Sequence, residues 1–305
     1  MLRFIFRRFL QTIPVLFIIA TLTFFLMKNT KGGPFDTEKA TTPEIKKQLA
    51  AHYGLNQPLW QQYTSYMGGL VKGDLGPSFK YAGWTVTELI AGAFPVSLEL
   101  GCYALVVALT VGMFAGFIAA LRPNTASDYI PMSLATIGIC LPTFVMGPAL
   151  ILIFAISLSW FNSSGWFFMG DRVLPALTLG AYYSAYTSRI ARTSMIEILS
   201  QDFIRTARAK GASEWRVIVR HALKGAFQPL VTLTAPITAS MVTGSFIVEK
   251  IFDIPGLGRF FVTGAFNRDL TLVVGCVLVY AALIVVLNLL ADIVLVWLNP
   301  RLRFE

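Results

Sequence analysis

The sequence predicts an all-α membrane protein with six transmembrane helices. Hydrophobic residues make up 55% of the 305 residues and charged residues only 13%, whereas a soluble domain carries about 25% charged residues. Six stretches approach the length of about 20 mostly apolar residues that one bilayer crossing requires. The predicted spans are residues 9–27, 96–121, 133–159, 174–194, 229–248 and 272–297.

The first span follows a basic N-terminus. Arg3, Arg7 and Arg8 precede the apolar run, and a secretory signal peptide begins in the same way. No small-x-small cleavage site follows the run, only Lys28–Pro34. We therefore interpret it as an uncleaved transmembrane helix.

A loop of residues 28–94 separates the first two spans and contains its own helices. Thr41–Glu44 combines a capping box with a proline in the first turn, which predicts a short helix near 43–52. Asn56–Pro58 opens a second helix. Aromatic residues typical of a membrane interface follow, at Trp60, Tyr81 and Trp84. The loop is either a packed lid or a surface for an external partner.

The second and third spans carry small residues and prolines. Gly112 and Gly116 have the spacing of a close helix–helix contact. Pro142, Gly147 and Pro148 interrupt the third span. Such interruptions are tolerated where the backbone faces protein or a wet cavity, so they indicate either a translocation path or a simple kink.

Basic residues set the predicted orientation. Lys and Arg cluster at both termini and in residues 195–228, whereas the short loops on the other side hold few. The positive-inside rule places both termini and residues 195–228 in the cytoplasm. The net charge of +9 is explained by this topology, so it does not indicate nucleic-acid binding.

Two acids lie within the predicted spans, where ionisable groups are costly and face a cavity or a partner. Glu99 sits near the outer end of the second span and either touches the permeating substrate or reaches the interface. Asp292 lies in the inner third of the sixth, where we expect it to pair with a basic residue.

The sequence offers no catalytic centre. It contains no P-loop, no G-x-S-x-G motif and no H-E-x-x-H helix. The three cysteines all lie in apolar stretches, and neither His52 nor His221 has a partner at ligand spacing. We therefore predict neither an enzyme nor a metal site.

A charged segment, Asp202–Lys224, separates the fourth and fifth spans. Ile204–Lys210 favours a helix, Gly211 favours a turn, and Glu214–Leu223 favours a second helix with an apolar face around Trp215. This hairpin could lie on anionic lipid or present a small knob to a groove in another protein.

This segment resembles the cytoplasmic loop of ABC importer permeases, E-A-A-x-x-x-G followed nine residues later by I-x-L-P. Ala207, Gly211 and Leu223 match that motif, whereas Arg205 replaces the glutamate and His221 replaces the isoleucine. The B-type permeases of binding-protein-dependent oligopeptide, dipeptide and nickel importers are more similar still. Their motifs are matched by Phe203–Gly211, Arg220–Lys224, Gly73–Ser78, Val248–Gly258 and Arg268–Asp269.

The resemblance covers residues 1–305 and implies a single permease domain with the type I ABC importer fold. It implies a bacterial inner-membrane heterodimer with a C-type permease, a periplasmic peptide-binding protein, and two cytoplasmic ATPase subunits that bind ATP and Mg. This chain itself would bind no cofactor. The residues expected to couple it to an ATPase are Arg205, Ala207, Gly211, Trp215, His221 and Leu223. We expect the substrate path to include Glu99 and Pro142.

Two other functions remain open from the residues alone. One is a secondary transporter driven by an ion gradient, with Glu99 and Asp292 as relay acids. The other is a membrane scaffold or insertase factor whose charged segment anchors it to lipid. The family motifs favour the peptide importer over both.

Overall fold

The computed structural model describes residues 2–29, 56–81 and 83–298, so the predicted helix at 43–52 lies outside the described residues. Regular structure in these ranges is helical, apart from one isolated bridge between Pro77 and Thr85. The α-helices are α1 (Leu2–Asn29), α2 (Leu59–Val71), α3 (Val86–Leu121), α4 (Ala126–Cys140), α5 (Thr143–Leu150), α6 (Val173–Leu199), α7 (Asp202–Ala209), α8 (Glu214–Arg216), α9 (Leu223–Gly244), α10 (Phe246–Ile251), α11 (Leu257–Phe266) and α12 (Leu270–Leu298). Two π-helical segments, Ile151–Ser157 and Val217–Ala222, and a 3₁₀ turn, Met169–Arg172, complete the described elements.

Four of the described helical segments are long and apolar enough to cross a bilayer, or five if the bent pair α4 and α5 counts as one span. The predicted span at 174–194 falls within α6, which has 27 residues and a length of about 40 Å at 1.5 Å per residue. The sequence of α6 is too polar for this helix to count among the candidate spans, which are defined by length and hydropathy. The prediction of six spans therefore stays a prediction.

The described residues form two compact units, drawn from Met1–Ser97 with Pro255–Val285 and from Leu98–Ile254 with Val286–Glu305. In the first unit, α2 starts at Leu59, where the sequence predicted a helix. Its Tyr63 and Tyr66 rings lie 5.4 and 5.5 Å from the ring of Phe24 on α1. This aromatic packing holds α2 against α1.

Asp269 organises the rest of the first unit. Its buried carboxylate accepts hydrogen bonds from the Ser78 hydroxyl, from the N–H groups of Phe79 and Lys80, and from the Thr271 hydroxyl. Because a buried carboxylate must be satisfied by donors, this network joins the Gly73–Ser78 motif to the start of α12.

The helix α3 begins ten residues before the predicted span at 96–121. Its first turn is closed by a capping box, in which Thr85 and Glu88 exchange hydrogen bonds between side chain and backbone N–H. The resulting helix of 36 residues is about 54 Å long, well beyond the roughly 30 Å hydrocarbon core of a bilayer. Its first turns therefore extend past the membrane core or the helix tilts.

In the second unit, α3 and α6 pack backbone to backbone. A Cβ atom on Gly112 would lie 2.6 Å from the Ser184 carbonyl oxygen, and one on Gly116 would lie 2.3 Å from that of Ser188. Only glycine fits at these separations, which confirms the close contact that the sequence predicted.

The third span is broken rather than gently kinked. The helices α4 and α5 meet at an angle of 105°. Leu141 has an extended backbone (φ −87°, ψ 111°) because the ring of Pro142 disfavours a helical residue before it. The chain then restarts a helix at Thr143.

Candidate functional site

The helix α7 is fixed to the second unit by its inner face. Ile204 is fully buried, and Ala207 packs against the same apolar cluster. The buried members of that cluster come from α3, α6, α7, the second π-helical segment and α9, namely Ala120, Met195, Ile204, Val217, Ala222 and Ala226. Because protein interiors are close-packed, a displacement of α7 must move the helices that it contacts.

A Schellman turn ends α7. The Ala212 N–H donates to the Ala207 carbonyl at 3.1 Å, and the Gly211 N–H donates to the Arg208 carbonyl at 2.9 Å. Gly211 has φ +79°, which glycine adopts without the strain that a Cβ causes. The turn at Gly211 confirms the predicted end of the helix.

An ion pair bridges the two sides of this turn. The Arg208 guanidinium donates to both carboxylate oxygens of Glu214, at 2.8 and 3.1 Å. These hydrogen bonds hold the pKa of Glu214 below its usual range. The planar fork of arginine fixes the geometry of such a pair, so the bridge orients α7 relative to α8. The pair was missed at the sequence level, although opposite charges six residues apart across a glycine turn are a usable signal.

The outer face of the turn exposes two large apolar side chains. Trp215 is 76% exposed and Phe203 is 49% exposed. Arg205 is exposed as well, with its guanidinium 3.6 Å from the Asp202 carboxylate. Trp215 was expected to contribute an apolar face; Phe203 was not singled out as a contact. Ala207 lies one turn after Phe203 on the same side of α7 and packs against the apolar cluster.

The second arm of the predicted hairpin is not a separate helix. Helical structure continues from Glu214 through α8, the π-helical segment and α9 into the fifth predicted span. No proline lies between Trp215 and the start of that span at residue 229, and the single glycine there, Gly225, is tolerated within the helix. His221 and Leu223 are therefore half-buried members of a long helix.

The predicted path residues Glu99 and Pro142 lie apart from α7 along the chain. The Glu99 carboxylate accepts hydrogen bonds from Arg172 Nε at 3.0 Å and from Trp166 Nε1 at 3.1 Å. Arg172 in turn lies 4.7 Å from the centroid of the Trp166 ring. This arrangement ties the loop before α6 to α3. Pro142 marks the break between α4 and α5.

A small pocket opens beside that break. It has a volume of about 270 Å³, slightly below the roughly 300–1,000 Å³ of drug-sized ligand sites. Its lining residues are Pro142, Thr143, Leu179, Tyr182 and Tyr183. Elsewhere, among the residues that the structure describes, no three His, Cys, Asp or Glu side chains converge as metal ligands would.

Comparisons with known proteins agree with this architecture. Residues 112–304 match the family model described as "Binding-protein-dependent transport system inner membrane component", and residues 1–100 match its N-terminal companion. The chain is 44% identical over its full length to the oligopeptide transport system permease protein OppB of Haemophilus influenzae, which it also covers fully. It is 40% identical to the dipeptide transport system permease protein DppB of Bacillus subtilis, covering all of this chain and 99% of that one.

The fold has a solved counterpart. A subunit of the MetNI methionine ABC transporter aligns with a TM-score of 0.60 at 15% identity, covering 69% of this chain and 96% of that one. The chain therefore belongs to the family of binding-protein-dependent transport system inner membrane components, and it is a multi-pass membrane protein with the fold of ABC importer permeases.

Proposed function

We propose that this chain is the B-type permease subunit of an ATP-driven peptide importer. Its relatives are named as oligopeptide and dipeptide transport permeases and match it from end to end. This likeness favours an importer over the ion-gradient transporter. The pairing of Glu99 with Arg172 also gives that acid a structural role in place of a relay.

The observation that carries the mechanism is the construction of α7. Ile204 and Ala207 of α7 pack into the apolar cluster, whereas Phe203 of α7 and Trp215 of α8 stay exposed. We call residues 202–216, which comprise α7, the turn at Gly211 and α8, the knob. A rigid knob of this kind transmits force, because the contact moves as a unit with the helices behind it. In our proposal this knob enters a groove of one ATPase subunit, and Arg205 and Gly211 lie at the same surface.

The complete assembly follows from this role. The chain forms half of the pore, and a homologous C-type permease forms the other half. Two cytoplasmic ATPases bind ATP and Mg, and a periplasmic binding protein delivers the peptide. Both termini and α7 then lie in the cytoplasm of a bacterial cell. The substrate path runs past Pro142.

The test replaces the exposed tryptophan. Trp215→Ala should reduce co-purification of the ATPases and ATP-dependent peptide uptake by at least tenfold, because a large desolvated aromatic contributes strongly to a contact. Trp160→Ala is the matched control, since Trp160 is similarly exposed, 65% against 76% for Trp215, but lies in the loop before α6. If Trp215→Ala and Trp160→Ala co-purified with the ATPases equally and imported peptide equally, the proposal would be contradicted.

A further inference from the structure

The helix α6 carries an exposed polar stripe, although it is long enough to cross the membrane. Its exposed residues between Tyr186 and its C-terminus are Tyr186, Arg189, Thr193 and Glu197. They are spaced three or four residues apart, so they share one face. Tyr182, half-buried, stands one turn before them on the same face. The stripe from Tyr182 to Glu197 extends about 22 Å at 1.5 Å per residue.

The neighbouring helix α3 exposes a different kind of surface. Val106, Val111 and Phe114 are 58%, 53% and 71% exposed, and all three are suited to lipid. Hydroxyl and charged side chains are costly in the hydrocarbon core and face the interior of a bundle or a wet cavity. The contrast indicates that the α6 stripe faces water.

The stripe begins at the pocket beside the broken third span. The ring of Tyr182 lies 5.1 Å from that of Tyr183 and 5.7 Å from that of Tyr186, measured between centroids. Tyr182 and Tyr183 also line the pocket, with Pro142. A helix end leaves its last carbonyl groups without helical donors, so the end of α4 adds acceptors at the same place. Further toward the C-terminus of the stripe, Arg189 Nη2 donates a hydrogen bond to Thr136 Oγ1 on α4 at 3.3 Å.

We infer that the α6 stripe lines the aqueous path and that Tyr182, Tyr183 and Tyr186, together with the break at Pro142, form a subsite for the backbone of a peptide. The inference rests on the proposed function and adds which side chains would contact the transported peptide. Tyrosine presents an aromatic face to any side chain and a hydroxyl to any backbone amide. The residues lining the pocket include no charged side chain, so the subsite does not select by charge. Its volume suits one or two residues of a peptide rather than a whole one.

Cysteine accessibility tests the water-filled path. The native Cys102, Cys140 and Cys276 are first replaced by alanine. Single cysteines are then introduced as Tyr186→Cys and Thr193→Cys on the stripe, and as the lipid-facing controls Val106→Cys and Val111→Cys. In the assembled importer, a charged methanethiosulfonate should label the stripe at least tenfold faster than the controls. Equal rates on both helices, or slow labelling of the stripe, would overturn the inference, because either would place lipid or protein against α6.

Peptide protection tests the subsite. A further single cysteine, Thr143→Cys, is introduced in the pocket lining without removing any of the three tyrosines. Trialanine, supplied with the binding protein and ATP, should slow labelling at Thr143→Cys several-fold and leave Thr193→Cys less affected. Absence of protection at Thr143→Cys would overturn the assignment of the subsite.

Paired substitutions separate the ring from the hydroxyl. Tyr182→Phe should reduce trialanine uptake several-fold, and Tyr182→Ala should reduce it further, while ATPase co-purification stays at the wild-type level. Wild-type uptake by Tyr182→Ala would contradict the proposed subsite without contradicting the proposed permease function. An unsubstituted assembly that failed to import trialanine with ATP would instead contradict the proposed function.

Discussion

Gly211 offers the sharpest single perturbation of the α7 knob. At φ +79°, the left-handed backbone costs a residue with a Cβ roughly 1–2 kcal/mol. No atom lies within 4 Å of the Cβ position, so this dihedral strain is the whole cost for Gly211→Ala. The equilibrium between the ordered and the disordered turn should then shift about 5- to 30-fold.

The Ala212 amide reports that equilibrium directly, because its hydrogen bond to Ala207 exists only in the ordered turn. Hydrogen exchange at Ala212 should accelerate about 5- to 30-fold in Gly211→Ala, in proportion to the opening. Gly211→Asn should exchange more slowly than Gly211→Ala, since asparagine tolerates this conformation better than alanine. Gly211→Pro should abolish the turn, because it removes the donor and cannot reach the dihedral.

Peptide uptake should decline in the same order, from wild type through Asn and Ala to Pro. Gly92→Ala is the matched control, because its Cβ also meets nothing within 4 Å but its φ is not in the left-handed region. The reasoning is refuted if Gly211→Ala exchanges at the wild-type rate, or if Gly211→Pro imports peptide normally.

Three further perturbations probe the scaffold behind the site. Asp128→Asn should lower the melting temperature of the purified protein, because Arg192, whose guanidinium donates two hydrogen bonds of 2.6 Å to that buried carboxylate, loses its charged partner. Hydrogen bonds to charged groups contribute about 1.5–3 kcal/mol, and an unchanged melting curve would contradict this role of the ion pair. Hydrogen bonds from the Phe168 N–H and its neighbours hold the pKa of Asp171 below its usual range. The ionised Asp171 carboxylate therefore contributes its full stabilisation above the unfolded-state pKa of about 4. That stabilisation is lost as the pH falls through the lower pKa of the folded state. The melting temperatures of wild type and Asp171→Asn, measured between pH 5 and 2.5, should therefore converge at the acidic end. A constant difference between them would contradict the stabilising role of the Asp171 carboxylate. Gly116→Leu should disrupt the contact with Ser188 and abolish membrane accumulation of the folded chain, whereas normal accumulation would show that α3 and α6 can separate there.

Much of the fold was accessible from the sequence because the bilayer constrains it. Apolar runs of sufficient length locate the four described helical segments that could cross a bilayer, or five with the bent pair, although the predicted count of six spans is not established. Gly211 marks the end of α7 through a local rule about positive φ. A close helix–helix contact at Gly112 and Gly116 was also predicted, since glycine spacing on one helix face indicates a close neighbour, whereas the identity of that neighbour, α6, came from the structure. Each of these signals is contained in a few consecutive residues.

The remaining features depend on residues that are distant in sequence. Local rules show that Pro142 disturbs the helix, but whether it produces a kink or a 105° break depends on the helices around it. Glu99 finds its partner at Arg172, in a loop 73 residues later. The burial of Ile204 and Ala207 in the cluster that includes Met195 depends on how α7 is rotated about its axis against α6.

The account centres on one claim, that peptide transport by this chain is driven by ATPases acting through α7. The most direct measurement is peptide uptake into proteoliposomes that hold the reconstituted assembly, compared under ATP and under an ion gradient without ATP. The account predicts uptake only with ATP and its loss in Gly211→Pro, with the other subunits still present. Uptake driven by a gradient, without ATPase subunits, would contradict it.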